Sequence, residues 1–387
     1  MKILLIESHN FGKEDIRDTF MAMGHQVILF KYPDFLSYEV SYNLLQLDKT
    51  INSEKPDLVF SSNFSPNVSA VCHSHSVPYV SWVYDSPLLA MYSASLANSN
   101  NYVFMFDSEE YNTFKNSGIN TVYYLPLAAN SARMDSMIPT ELHHERLDAD
   151  VSFVGRLYDE DTDNFANASN MNDYAKGYLD AMMEAQKLVN GYSFTEVLTK
   201  GIFLEELERT VPYSPHTGNA ATKEYVYSRY FIDKKITSEE RKSIIKRVSD
   251  SFNTKLYTVN PTPYLPNAIN MGSVNAYSQL PYVFKCSKIN LNISLRSIHA
   301  GIPLRAIEIM GAGGFLLSNF QRDFLDYFEP DKDFVYYEDE NDLIDKCRFY
   351  LDNDNERLAI ANNGYLKVKE FFSYDVMLKK ILETVFS

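Results

Sequence analysis

Arg296, Arg305 and Glu308 are the residues of this chain whose types and spacing point most directly to chemistry. The two arginines flank the start of a short helix, and the glutamate lies one turn inside it. A guanidinium fork suits phosphate oxygens. A helix N-terminus favours an anion through its free N–H groups and its dipole. A carboxylate one turn on is placed to accept hydrogen bonds from sugar hydroxyls. Together they suit a nucleotide diphosphate. The elements that must hold them are legible in residues 289–319: a strand, the loop Gly301-Ile302-Pro303-Leu304, a short helix ending on glycines, and a second strand over Phe315–Ser318. That is one unit of a parallel α/β sheet. An ordinary βαβ unit with surface arginines would look the same locally, so the rest of the chain must decide.

Further polar residues stand where other strands end. After the first strand, Gly12 permits a tight turn, and Lys13, Glu14 and Asp15 open the next helix. The acidic pair either complements the helix dipole or faces a ligand. After the fourth strand come Tyr84 and Asp85, the latter a general base or a turn former before Ser86-Pro87. Gly155-Arg156 puts another arginine at a strand end. His73 and His75, two residues apart, fall on different sides of a helix and read as a solvated helix end rather than as metal ligands. Asp159, Asp161 and Asp163 alternate after Arg156 and read as an acidic loop, so no metal is expected.

Periodicity predicts strands over Lys2–Ile6, Gln26–Phe30, Asp57–Ser61, Tyr79–Val83, Tyr102–Phe106 and Thr121–Leu125, with helices between them. This makes a doubly wound domain whose ligands sit at the carboxyl ends of its strands. The pattern restarts with strands at Ala149–Val154, Thr254–Thr258, Ile269–Gly272, Lys288–Ile293, Phe315–Ser318 and Phe334–Tyr337. Helical stretches at Asp173–Asn190, Thr195–Thr210, Lys223–Phe231 and Ser238–Phe252 interrupt it after its first strand. Three helices, Asn341–Leu351, Asn355–Phe371 and Tyr374–Thr384, follow the last.

The 387 residues exceed one typical domain, and 45% apolar with 22% charged residues is ordinary globular composition. A net charge of −15 argues against nucleic acid as partner and mildly against a lipid-linked acceptor at an anionic membrane. Cys72, Cys286 and Cys347 are far apart, show no metal-ligand spacing and leave one unpaired in any disulfide scheme, as a reducing cytoplasm allows. The apolar run at the N-terminus is too short for a signal peptide, and no run approaches the ~20 residues of a membrane span. A cytoplasmic protein without an integral membrane segment is expected.

Seven stretches carry a family resemblance over nearly the whole chain: Phe11-Gly-Lys-Glu-Asp15, Ser81-Trp-Val-Tyr-Asp-Ser-Pro87, Tyr124-Leu-Pro-Leu-Ala128, Val151-Ser-Phe-Val-Gly155, Gly301-Ile-Pro-Leu-Arg305, Glu308-Ile-Met-Gly-Ala-Gly-Gly-Phe-Leu-Leu-Ser318 and Asn363-Gly-Tyr. The chain resembles CgeB-like glycosyltransferases of the spore-maturation type, which have the GT-B fold. The resemblance implies two Rossmann-like domains facing a cleft: an acceptor-side domain over 1–130, onto which 374–387 packs back, and a nucleotide-sugar domain over 131–373 with a helical insertion at about 160–252. It implies metal-independent transfer of a sugar, with no cofactor, from a UDP- or GDP-linked donor to a surface protein or polysaccharide. Donor contacts would come from Gly155, Arg156, Asn275, Arg296, Gly301, Ile302, Pro303, Leu304, Arg305 and Glu308, and acceptor contacts from Gly12, Lys13, Glu14 and Tyr84. Asp85, Asp15 and His299 are the candidates for chemistry. Related retaining families carry a second glutamate eight residues before Glu308, where this chain has Ala300, so the residues assign neither retention nor inversion. A nucleotide-sugar 2-epimerase and a non-catalytic binding relative share the architecture. Oligomeric state is not legible.

Overall fold

The computed structural model describes residues 1–7, 12–33, 35, 42–159, 170–214 and 218–387. Asp161, Asp163, the turn residues 8–11 and the start of the expected insertion lie outside them. The chain forms two compact units, one of Met1–Ala128, Ser214–Ala221 and Phe371–Ser387, the other of Ala129–Tyr213 and Thr222–Glu370.

The first unit holds a six-stranded sheet of β1 (Lys2–Glu7), β2 (Gln26–Lys31), β3 (Leu58–Ser62), β4 (Tyr79–Trp82), β5 (Asn101–Met105) and β6 (Val122–Tyr124), in the order β2-β1-β3-β4-β5-β6 and parallel throughout. Every residue of β3 and β4 is buried, as expected when helices cover both faces, whereas edge strand β2 exposes Leu29. The C-terminal helix Tyr374–Val385 buries Tyr374, Met377, Leu378 and Ile381 in this unit and packs against the helix Lys13–Ala22. A segment of the inserted region also belongs here: Ala220 N–H donates to Tyr92 O, and Asn219 bridges Ser93.

The second unit holds β7 (Ala149–Val154), β8 (Thr254–Tyr257), β9 (Ala268–Asn270), β10 (Ser287–Asn292), β11 (Leu316–Asn319) and β12 (Val335–Tyr337), in the order β12-β11-β10-β7-β8-β9, again parallel. All twelve strands lie within two residues of the expected ranges, and the two sheets are those of the GT-B fold. Side-chain ladders tie the central strands together: Ser152 Oγ donates to Asn290 Oδ1 at 3.0 Å, and Asn292 Nδ2 to Ser318 Oγ at 2.9 Å.

The helices depart further from expectation. Lys223–Phe231 and Ser238–Phe252 are one continuous helix, α-helical over Lys223–Tyr225, π-helical over Val226–Ile232 and α-helical again over Asp233–Ser249. No glycine or proline lies between those stretches to end it. The expected Thr195–Thr210 helix splits into Thr195–Leu198 and Gly201–Thr210, with Gly201 at φ +58°. Helices Ser131–Ser136, Glu141–Leu147 and Leu280–Cys286 are too short for a periodicity signal and were not foreseen.

Candidate functional site

In the second unit, β10 leads into a loop over residues 293–303, and Pro303 caps the helix Leu304–Gly311. Gly301, Ile302 and Pro303 are buried, so any part they play in ligand binding is through the backbone, not through the Ile302 side chain. Leu304, Arg305 and Glu308 are half-buried on the first turns of the helix. Arg305 Nη1 donates to Glu308 Oε2 at 2.5 Å, three residues on, and the guanidinium lies 5.7 Å from the Phe284 ring centre. The buried Arg305 Nε makes no hydrogen bond among the described residues. A buried donor without a partner costs about 1–3 kcal/mol, so this arginine holds capacity for an added acceptor.

Arg296 corrects the sequence expectation. Its Nε donates to Glu240 Oε2 at 2.7 Å and Nη2 to Glu240 Oε1; Nη1 donates to Val189 O (2.9 Å) and Asn190 Oδ1 (3.1 Å), and Nη2 also to Lys187 O (3.3 Å). A guanidinium has five N–H donors, and all five are committed. Arg296 is therefore the bolt that fastens the β10 loop to the inserted helices, and no donor is left for a phosphate.

The same inserted helices grip the loop at other points. Arg241 Nη2 and Nε donate to Ile293 O, and its Nη1 to Arg156 O at 2.5 Å. Arg229 Nη1 donates to Ser297 O at 3.2 Å, and Thr237 Oγ1 accepts from Arg296 N at 2.9 Å. His299 points into this packing: it is buried, with Nε2 3.8 Å from Oδ2 of the fully buried Asp233. Burial pushes the Asp233 carboxyl up, while Arg229, His299 and Thr195 pull it back. His299, expected among the candidates for chemistry, is packed in the second unit with its Nε2 on the Asp233 side.

Gly155 and exposed Arg156 follow β7, and Leu157 N–H donates to Asn260 Oδ1 at 2.8 Å, joining the turns after β7 and β8. Asn275, expected among the donor contacts, caps a turn: its Oδ1 accepts from Tyr277 N, Ser278 N and Ser278 Oγ. The Asn363-Gly-Tyr motif is packing. A Cβ on Gly364 would stand 2.4 Å from Asp333 O, and Asn363 Nδ2 donates to Lys332 O.

In the first unit, Asn63 organises the end of β4. It adopts φ +68°, its Oδ1 accepts from Tyr84 N (2.8 Å) and Asp85 N (3.1 Å), and its Nδ2 donates to Asp85 Oδ2 at 2.7 Å. Asp85 is crowded by protein yet open to solvent on one side. That crowding pushes its carboxyl above the usual range, the Asn63 hydrogen bond opposing. Sequence reasoning missed Asn63, although an asparagine directly after a strand is a residue that tolerates positive φ. Gly12, at φ +79°, caps the helix Lys13–Ala22, and a Cβ there would lie 2.6 Å from Tyr374 Oη and 3.1 Å from Tyr84 Oη. Lys13 Nζ bonds Glu7 Oε1 at 2.9 Å and holds that carboxyl below its ordinary range. Glu14 lies 4.0 Å from Lys13 Nζ, and Asp15 is buried in the helix's first turn, so Asp15 is not presented to an acceptor.

Comparisons with known proteins bear on the family and the fold. Residues 241–383, which include Arg296, Arg305 and Glu308, match a family model described as glycosyl transferase-like. No curated protein matches the chain in sequence. Among solved structures, sucrose-phosphate synthase from Thermosynechococcus elongatus superposes with TM-score 0.57 at 10% identity, covering 100% of this chain and 99% of that one. Anabaena HepE, solved in complex with UDP and glucose, superposes at TM-score 0.58 and 9% identity over 100% of both chains. A glycosyltransferase from Rickettsia africae gives TM-score 0.55 at 12% identity, covering 99% of this chain and 97% of that one. Among the described residues no helix is long and apolar enough to cross a membrane.

Proposed function

We propose that this GT-B protein is a glycosyltransferase that takes a sugar from a nucleoside-diphosphate donor, UDP- or GDP-linked, and passes it to a protein or glycan acceptor. One observation carries the reading. Arg305, with an unused buried Nε, stands beside Glu308 at the start of the helix after β10, inside the stretch that matches the glycosyl transferase-like model. The donor is assigned to the second unit and the acceptor to the first. Glu308 takes the ribose hydroxyls, which loosens its pair with Arg305 and turns that guanidinium toward the diphosphate. As the bond to the sugar breaks, negative charge builds on the leaving diphosphate. Arg305, Arg156 and the helix N-terminus stabilise it without a metal in the chemical step. Asp85, with its raised pKa and Asn63 as orienter, deprotonates the acceptor hydroxyl if the reaction inverts. Kinship with the CgeB-like group and action on a surface protein or polysaccharide belong to this proposal. The HepE complex with UDP and glucose supports a uridine donor. The epimerase alternative finds no support at Ala300, which is fully buried and offers no carboxylate to a sugar.

The test is calorimetry and thermal shift of the purified protein with UDP, GDP, CDP, ADP, dTDP and their sugar conjugates, with EDTA and with added magnesium. Selective binding of one diphosphate in EDTA is the expected result. Failure to bind any of them, with or without magnesium, overturns the proposal.

A further inference from the structure

The structure assigns a cation site to the opposite end of the second sheet, where His144, Asp148 and Cys286 would together hold one soft divalent ion such as zinc. The sheet register brings the three together from distant parts of the chain. Ser287, the first residue of β10, pairs with Ala149, the first of β7, so Cys286 and Asp148 enter the sheet side by side. His144 stands one helical turn before Asp148, whose N–H donates to His144 O at 3.0 Å, and the His144 Nδ1 to Asp148 Oδ1 distance is 2.8 Å. One ligand atom from each of the three residues lies within 4.8 Å of the other two. Zinc with ligands at about 2.0–2.3 Å in a tetrahedron spaces them by roughly 3.3–3.8 Å, a small side-chain rotation from the present arrangement. One sulfur, one imidazole nitrogen and one carboxylate oxygen form a donor set that suits zinc over magnesium or calcium.

Burial is graded as an entry path requires. His144 and Asp148 are exposed and Cys286 is buried, so the ion would arrive from solvent and seat its sulfur ligand last. Asp148 and Cys286 also line a cavity of about 400 Å³, which leaves room for water in a fourth position. Binding replaces the His144–Asp148 hydrogen bond, the neutral imidazole ligating through Nδ1 with its proton on Nε2, and releases the Cys286 thiol proton to solvent. The ion would pin the helix Glu141–Leu147 to the start of β10. None of these residues belongs to the nucleotide site, so the inference stands apart from the transferase reading.

The experiment is zinc and cobalt titration of the full-length, chelator-stripped protein, followed by calorimetry and, for cobalt, by the thiolate-to-metal absorption band. One zinc per chain is expected, with a cobalt–thiolate band, and C286S and H144A should each weaken affinity at least tenfold. H75A, which removes the other exposed His–Asp pair, should leave affinity unchanged. His144 is exposed, so H144A keeps the test decisive should C286S fold poorly. Absence of binding, or binding that H144A leaves unaltered, overturns the inference.

Discussion

Replacing Arg296 should damage the second unit without first touching nucleotide chemistry. Arg296→Ala strips Glu240 of a bidentate partner, removes the donors to Lys187 O and Asn190 Oδ1, and leaves Val189 O with Gln186 Nε2 in place of two donors. The Arg296 and Glu240 side chains are 12% and 14% exposed, so solvent can replace little of what is lost. Removing one member of such a buried pair costs about 3–5 kcal/mol. In a unit of this size that corresponds to about 6–20 °C in melting temperature. Arg296→Lys keeps the charge but not the fork, and should cost about half as much, since a point charge satisfies fewer of the five acceptor positions. The E240Q/R296M double variant should recover part of the loss, because it leaves no unpaired charge. The assay is urea denaturation followed by far-ultraviolet circular dichroism, with UDP affinity measured well below the transition. If R296A melted like the parent and lost its affinity for nucleotide, the cage of inserted helices would be wrong and Arg296 would return to the donor site.

Arg305→Ala and Glu308→Ala should do the reverse: each weakens binding of the preferred diphosphate by about 10- to 100-fold, the equivalent of 1.5–3 kcal/mol for a charge-assisted contact, with little change in melting. Affinity equal to the parent's in calorimetry would remove both from the site. Gly12→Ala should destabilise the first unit by about 1–3 kcal/mol, because it strains a φ of +79° and drives a methyl into Tyr374 and Tyr84; a change under about 0.5 kcal/mol by denaturant titration would show that the tyrosines yield. For Asp85 the sign follows from its raised pKa. A base must be ionised, so the acidic limb of kcat/KM should lie above the ordinary aspartate range, and activity should rise with pH through it. Folding runs the other way: a carboxyl that binds its proton more tightly when folded stabilises below its ordinary pKa and loses that contribution as pH rises through the raised value. Asp85→Asn should therefore abolish the limb and lift stability at neutral pH, and a limb that survives the substitution assigns it to another group.

The strands were legible because most are short apolar runs bounded by turn residues, and burial on both faces of the central strands keeps such runs apolar. That Gly12, Arg305 and Glu308 stand at helix starts was legible because helix starts and tight turns have local chemistry. Arg296 was not. Its position at a strand end is shared by phosphate ligands and by structural bolts, and only Glu240, 56 residues upstream, tells them apart. Asn275 carries the same ambiguity, since an asparagine that caps a turn and one that contacts a ligand look alike in sequence. The His144–Asp148–Cys286 cluster was hidden because strand register, and not spacing along the chain, assembles it.

The inserted helices impose an order of events on the chain. β7 and β8 are neighbours in the sheet, yet the whole insertion separates Val154 from Thr254, and the β10 loop waits on contacts 52 to 109 residues away. In the first unit β3, β4, β5 and β6 pair in the sequence in which they are synthesised. Closing long loops before any contact rewards them slows the search for the native state, so the second sheet should form later than the β3-to-β6 run of the first, and the C-terminal helix should dock on the first unit last. Trp82, the sole tryptophan, is buried with its ring centre 5.9 Å from that of Tyr374, so its fluorescence reports the docking of the C-terminal helix, and circular dichroism follows the sheets.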